Sequence, residues 1–335
     1  IKDVAELAQC SIKTVSRVIN EEPHVTEATR ERVLTAIRSL DYAPNFSARR
    51  LVQRKAYMIC ILLHEAGFYQ STILSKVLDI GYQQDYDILI QSYYPSHTKS
   101  KEKLEALIRE RRVDGLVITP PCDVDPFLSE LLAQSGVPYV QITPLNRTPE
   151  VPYVAGDDYQ GAYLMTERLI LMGHWRIAFL SGPRNHRASI DRLYGYKAAL
   201  EVYRVPARND LILDSLYNFD GGYNAAKLAM AVTEPPTAIF GGSDEAALGA
   251  LYALQEMGLA VPGAVSVCGF DDLPQAQQVW PGLSTVAHPV DEIVERAIHM
   301  LISILAGREP DSRQVVLPSR LVMRGSTAAP PPDMD

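Results

Sequence analysis

From Tyr57 onward the chain alternates short, fully apolar runs with longer amphipathic stretches, and few architectures accept that grammar. The spacing predicts strands at Tyr57–Leu63, Asp87–Gln91, Gly115–Thr119 and Tyr139–Ile142, with helices over 70–84, 98–111 and 125–135 between and after them. The pattern then repeats, with strands near 176–180, 210–213, 237–240 and 264–268 and helices near 158–172, 189–203, 220–232 and 244–257. Apolar strands between amphipathic helices mean parallel sheets covered on both faces. The expected class is therefore α/β: two doubly wound parallel-sheet lobes closing as a clamshell, with a ligand at the carboxyl ends of the strands. Ser284–Leu305 and Gln314–Met323 are expected to cross back and finish both lobes. That places one lobe at 57–155 with 285–312 and the other at 156–284 with 313–328, leaving 329–335 as a flexible tail.

Residues 1–44 follow a different period. Val4, Ala5 and Ala8 share one helical face, and Val15, Val18 and Ile19 repeat the i, i+3, i+4 spacing after a polar break. Ser11 is placed to N-cap the second helix. Two short amphipathic helices joined by a tight turn form a helix-turn-helix, whose second helix lies in the major groove of DNA. A third helix is expected from Thr26, its N-cap, to Leu40, with Val33, Ala36, Ile37 and Leu40 inward, so the headpiece is all-α. Ile12, Lys13, Ser16 and Arg17 share one face of the second helix. Arg17 can offer a bidentate fork to guanine, Lys13 a single donor, and Ile12 apolar contact to a thymine methyl. Thr14, Asn20 and Tyr42 suit phosphate contacts better, and Ser11, at the start of the helix, is counted with the DNA-binding residues.

Residues 45–56 read as a linker, in which Asn45 can cap one or two helical turns ending near Leu51. Arg49, Arg50, Arg54 and Lys55 make it the most basic stretch. The segment is too short for a stable isolated helix in water, so it is expected to order only against DNA and a partner subunit. Charge supports the same division. Residues 1–57 carry ten Lys/Arg against seven Asp/Glu, while the remainder carries 22 against 33, within a net charge of −8. A basic head on an acidic body confines attraction for phosphates to one end.

Among the 335 residues, 47% are hydrophobic and 21% charged, ordinary for a globular protein of two or three domains. No apolar run reaches the roughly 18 residues of a membrane span, and no signal-peptide pattern opens the chain, so a cytoplasmic, nucleoid-associated location is expected. Cys10, Cys60, Cys122 and Cys268 are scattered and lack metal spacing, as reduced thiols do. No Gly-x-Ser-x-Gly elbow, His-Glu-x-x-His helix or phosphate loop occurs, so no enzyme, no metal and no cofactor are expected. His174, after Gly173, is read as structural.

A polyol needs carboxylates to accept its hydroxyl hydrogens, an arginine fork to donate, and an aromatic face for its C–H surface. Phe68, Tyr69, Arg192, Phe219, Ser243 and Asp271 supply these at loops following strands, and are taken as the effector-binding set; Asp244 is read equally well as a helix cap.

Several stretches resemble the LacI/GalR family of bacterial transcriptional regulators in order and spacing. They include Asp3-Val4-Ala5, Thr14-Val15-Ser16-Arg17-Val18-Ile19-Asn20 and Tyr42-x-Pro44-Asn45-x-x-Ala48-x-x-Leu51. In the body they include Arg112-Val113-Asp114-Gly115, Arg192-x-x-Gly195-Tyr196, Gly269-Phe270-Asp271-Asp272 and Pro281-x-Leu283-Ser284-Thr285-Val286. The resemblance implies a clamshell like the type I periplasmic sugar-binding proteins. It implies that residues 45–56 form a hinge helix in the minor groove, with Asn45, Ala48 and Arg49 at the DNA and Leu51 wedged between base pairs. It also implies a homodimer on pseudo-palindromic operator DNA, and a small-molecule effector, a carbohydrate, in the interlobe cleft. A C-terminal leucine heptad that would support a tetramer is absent from the tail. The expected function is a repressor whose operator affinity the effector controls. The alternatives are a purine or nucleoside effector or a protein co-regulator and, remotely, a solute-binding protein. Three departures stand out: Gln9 where the family has Gly or Asn, Thr143 in place of a common Asp, and His64-Glu65-Ala66-Gly67 as the entry loop.

Overall fold

Side chains that can be buried on both faces at once turn the apolar runs into central strands. The computed structural model describes residues 1–19, 23–42, 55–64 and 67–331. Asn20, Asn45, Ala48, Arg49 and Leu51, with the hinge helix expected around them, lie outside the described residues, as does the tail beyond 331. The chain divides into two compact units, Ile1–Ala56 and Tyr57–Asp335.

The first unit packs α1 (Lys2–Leu7), α2 (Ile12–Ile19) and α3 (Glu27–Ser39) around Val4, Ala5, Ala8, Val15, Val18, Val33 and Ala36. Ser11 caps α2, its hydroxyl accepting the Thr14 N–H at 3.1 Å. Thr26 stands at the N-cap position of α3, but its hydroxyl pairs with that of Thr29 at 2.9 Å instead of a backbone amide. Leu40, expected inward, is 43% exposed. It is the C-cap, one position past the last helical residue, and so falls off the core face. Helix α1 ends in a Schellman motif, with Cys10 N–H bonded to Ala5 O and Gln9 N–H to Glu6 O. That motif requires a left-handed residue, and Gln9 supplies it at φ 52°.

In the second unit each lobe holds a six-stranded sheet among the described residues. The first contains β1 (Met58–Leu63), β2 (Asp87–Ser92), β3 (Gly115–Ile118), β4 (Tyr139–Ile142), β5 (Tyr153–Gly156) and β11 (Gln314–Leu317), in the order β11-β5-β4-β3-β1-β2, all parallel. Helices α4 (Phe68–Gln83), α5 (Thr98–Arg109) and α6 (Pro126–Ser135) connect its strands. The second contains β6 (Ile177–Ser181), β7 (Ile212–Asp214), β8 (Ala238–Gly241), β9 (Ser266–Asp271), β10 (Ser284–Ala287) and β12 (Arg320–Val322), in the order β12-β10-β9-β8-β6-β7. Its edge strand β12 runs antiparallel to β10. Helices α7 (Asp158–Leu171), α8 (Arg187–Val202), α9 (Phe219–Met230), α10 (Asp244–Glu256) and the one-turn α11 (Pro274–Gln278) cover this sheet, and α12 (Val290–Leu305) follows β10.

Two findings differ from the sequence reading. Strand β5 was not expected, because its four residues between Pro152 and Asp157 give too short a signal, yet it joins β4 to β11. The assignment of 285–312 to the first lobe and 313–328 to the second is corrected at both ends. β10 pairs with β9 in the second sheet (Thr285 opposite Gly269), whereas β11 pairs with β5 in the first (Val315 opposite Val154). The cause is α12: Val290, Ile293, Val294, Ala297, Ile298 and Leu301 bury against the first sheet beside Ile59, Ile61 and Val117. The chain must cross between lobes before that helix and again after β11.

A non-glycine residue in the left-handed region costs about 1–2 kcal/mol. The substitution Gln9→Gly should therefore raise headpiece stability by about 1 kcal/mol, read as a higher urea midpoint for the headpiece transition. An unchanged or lower midpoint would mean that the Gln9 side chain compensates for its backbone.

Candidate functional site

On α2 the buried face is set by Val15 and Val18, which turns the other residues outward. Ser11, Ile12 and Lys13 are exposed at its start; Thr14, Ser16 and Arg17 are half-buried. An exposed Ile12 beside Lys13 on a two-turn helix is a surface that can present both apolar and charged contacts. Tyr42 differs: its ring packs partly against the headpiece core.

In the second unit the carboxyl ends of the strands converge from both lobes on a cavity of about 400 Å³. Tyr69, Thr119, Ile142 and Thr143 line it from the first lobe, and Arg192, Tyr217, Ser243, Glu245, Asp271 and His288 from the second. Of the expected effector set, Tyr69, Arg192, Ser243 and Asp271 are brought together. Phe68 and Phe219 are not: they are 47% and 41% exposed, and Phe219 sits against the Tyr252 ring with centroids 5.9 Å apart. An open depression of about 500 Å³ beside α8 is lined by charged groups, among them Arg187 and Arg147, both paired with Asp191.

Arg192, 4% exposed, is the centre of the cleft. Its Nε–H donates to Asp158 at 2.8 Å, Nη1 to the Gly242 carbonyl at 2.6 Å and Nη2 to Asp271 at 3.1 Å. The guanidinium lies over the Phe270 ring at 3.7 Å and the Tyr217 ring at 5.3 Å. Burial opposes its charge, but Asp271 and Asp158 more than offset this and hold its pKa above the ordinary value. Three of the five N–H donors are thereby committed, which orients the group and leaves donors for a ligand oxygen.

Carboxylates outnumber cations here. Burial pushes Asp271 up to about 7 despite Arg192 beside it. It also pushes Asp244 well above the carboxylate range. Asp244 is neither a ligand group nor a helix cap: it accepts the Leu273 N–H at 2.8 Å and the Thr285 hydroxyl at 2.6 Å, bracing the ends of β9 and β10. Ser243 caps α10, accepting the Ala246 N–H at 3.2 Å and donating to the Tyr217 carbonyl at 3.3 Å, so its hydroxyl is largely occupied.

The sequence reading passed over Tyr217, Glu245, His186 and His288. Tyr217 stands two residues before Phe219, and a left-handed backbone at Leu216 and Tyr217 (φ 53° and 60°) turns it inward in place of Phe219. Nothing in the local pattern signals that. Among the described residues the buried Thr143 hydroxyl lacks a hydrogen-bond partner and lines the cavity, and the Tyr217 hydroxyl, beside Ser189, lines it too. His174, as expected, is structural: Nε2 donates to the Ala328 carbonyl at 2.8 Å, and Nδ1 lies 2.9 Å from the Thr237 hydroxyl. No group of three or more His, Cys, Asp or Glu among the described residues is arranged to hold a metal, and none of the described helices is long and apolar enough to cross a membrane.

Comparison with known proteins bears on both units. A family model described as bacterial regulatory proteins of the lacI family matches residues 1–45, and one described as a periplasmic binding protein-like domain matches residues 166–327. Catabolite control protein A of Priestia megaterium is 33% identical over 332 residues, 98% of each chain. The lac repressor dimer bound to operator and the anti-inducer ONPF superposes with a TM-score of 0.82 at 27% identity, covering 98% of each chain. A complex of the transcriptional regulator CelR with cellobiose superposes at 0.76 with 29% identity, covering 97% of this chain and 98% of that one.

His288 offers a test of the cleft electrostatics. Burial pushes its ring down to about 4, the Asp158 carboxylate opposing and Arg192 adding to the shift. The unfolded chain, titrating near 6.5, takes up this proton first as pH falls. The stability linked to His288 is full above that value and lost on the way down to about 4. His288→Asn should flatten that limb, the parent losing about 2 kcal/mol more than the variant between pH 7 and 4.5 in urea unfolding. Parallel profiles would show that the ring titrates alike in the folded and unfolded chains, so that burial does not depress it.

Proposed function

This chain belongs to the LacI family of bacterial regulatory proteins, and on that premise we propose that a sugar bound in its interlobe cleft controls its grip on operator DNA. The protein is a DNA-binding transcriptional regulator under small-ligand control, in a family of transcriptional regulators and not of enzymes. The observation that supports a hydroxyl-rich effector is Arg192, locked by Asp158 and Asp271 with donors to spare, beside the unpartnered hydroxyl of Thr143 and the cavity-lining hydroxyl of Tyr217. A polyol matches such a mixture of acceptors and donors, and the aromatic ring of Tyr69 or Tyr217 suits its C–H face. Cellobiose in the complex with CelR is a sugar held by a structural relative.

In the headpiece Ile12, Lys13, Ser16 and Arg17 read base edges, Thr14 and Tyr42 contact phosphates, and Ser11, the cap of α2, also stands at the DNA. Asn20, Asn45, Ala48, Arg49 and Leu51 take the roles that the family resemblance implies. The chain acts as a homodimer, each headpiece on one half-site. Effector and operator are coupled through the lobes and the segment before Tyr57, typically by about 1–3 kcal/mol.

Fluorescence anisotropy on the operator-containing DNA upstream of the regulator's own gene tests this. At constant ionic strength, mono- and oligosaccharides should shift operator affinity about 5–150-fold, and Arg192→Lys should abolish the shift. Arg17→Ala should weaken operator binding by about 1–3 kcal/mol with sugar binding intact. A response to nucleobases and to no sugar would overturn the effector class, and no response to either would overturn ligand control from the cleft.

A further inference from the structure

Helix α4 begins in a way that its own sequence cannot satisfy. The first N–H groups of a helix have no intrahelical partner and depend on a cap. Gly67 occupies the N-cap and has no side chain to offer. The cap arrives from the opposite lobe: the Glu245 carboxylate, on the first turn of α10, accepts the Phe68 N–H at 2.9 Å, and the Tyr69 N–H is directed at the same carboxylate. A Cβ on residue 67 would stand 3.2 Å from Glu245 Oε1 and 2.9 Å from Gln70 Oε1, so any residue able to cap locally would crowd the one that caps from across the cleft.

The charge is well placed. Glu245 lies where the amino termini of two helices, α4 and its own α10, meet, and both helix dipoles favour an anion there. Helix α4 is built into the first lobe through Ile73, Val77 and Ile80. Displacing its first turn from Glu245 therefore displaces that lobe from the second. Glu245 also lines the cavity, so whatever occupies the cleft meets the carboxylate that holds the lobes together. One residue on, the Tyr69 hydroxyl lies 3.3 Å from His288 Nδ1, a second tie between the same helix and the second lobe.

We propose that Glu245 is the positioning residue through which cleft occupancy is coupled to lobe closure: it caps α4 across the cleft, and operator affinity depends on that cap. This rests on the ligand-controlled regulator proposed above.

Amide hydrogen exchange at residue resolution on the full chain tests the cap, because Phe68 and Tyr69 have no other acceptor among the contacts of α4. In Glu245→Ala exchange at these two amides should rise about tenfold or more while the later turns of α4 keep their protection. Glu245→Gln, which retains an acceptor oxygen and loses the charge, should fall between parent and Glu245→Ala. In the same preparations operator affinity, read by anisotropy without added ligand, should shift by at least about threefold. Unchanged exchange at the two amides overturns the proposal. So does equal acceleration along all of α4 in both variants, which marks general loosening. Faster exchange at the two amides with unaltered operator affinity overturns the coupling. A parent protein that ignores sugars and nucleobases alike would count against the function proposed above, and would leave the exchange and apo-operator results to decide the role of Glu245.

Discussion

The second lobe is organised around one buried cation. Arg192 gathers the start of α7 through Asp158, the loop after β8 through the Gly242 carbonyl, and the end of β9 through Asp271. These are the carboxyl ends of adjacent strands and the helix entry beside them, the positions at which an open parallel sheet binds its ligand. A buried ion pair contributes little net stability against an apolar replacement of the same volume, but breaking it from one side leaves an uncompensated charge and costs about 3–5 kcal/mol. The value of Arg192 therefore lies in geometry: with three donors committed, the remaining ones can point only where the protein aims them.

Holding those strand ends in place carries strain. Thr143, Leu216, Tyr217 and Asp271, all lining the cavity, have φ of 45°, 53°, 60° and 122°. Each such residue costs about 1–3 kcal/mol and persists only where its surroundings over-determine it. At Asp271 the surroundings are visible: Arg192 holds its carboxylate, and its carbonyl accepts the His288 N–H at 3.3 Å. The same His288 packs on the crossover, where a Cβ on Gly156 would lie 2.1 Å from its Nε2. Arginine, strained strand end and lobe crossover form one connected set, so a change felt at the ligand site is felt where the lobes join.

Much of this was legible in the sequence because burial on both faces demands unbroken apolar runs. β1, β3, β6 and β8 could be read directly, as could the helix periods of α1 and α2. Arg192 and Asp271 were legible for a related reason: a charge at the end of an apolar strand has few roles other than pairing or binding. β5 was hidden by its length. Phe219 was misplaced relative to the cavity because two consecutive left-handed residues, Leu216 and Tyr217, put Tyr217 there in its place, and local pattern carries no record of such a reversal; Phe68 was misplaced too, and stands 47% exposed at the start of α4.

The sequence by itself determined what each segment is: a headpiece whose second helix turns a polar face outward, strands destined for the centre of parallel sheets, and charged residues at their ends. Those outcomes depend on burial and hydrogen bonding within a dozen residues, and the local order of side chains encodes them. The tertiary structure alone decided which sheet receives β10 and β11, that Tyr217 and not Phe219 faces the cleft, and that Glu245 caps a helix almost 180 residues upstream. These depend on the apolar face of α12 needing the first sheet, and on two lobes meeting so that an unsatisfied amide and an unpaired carboxylate find each other. Contacts between segments so distant along the chain leave no periodicity to read.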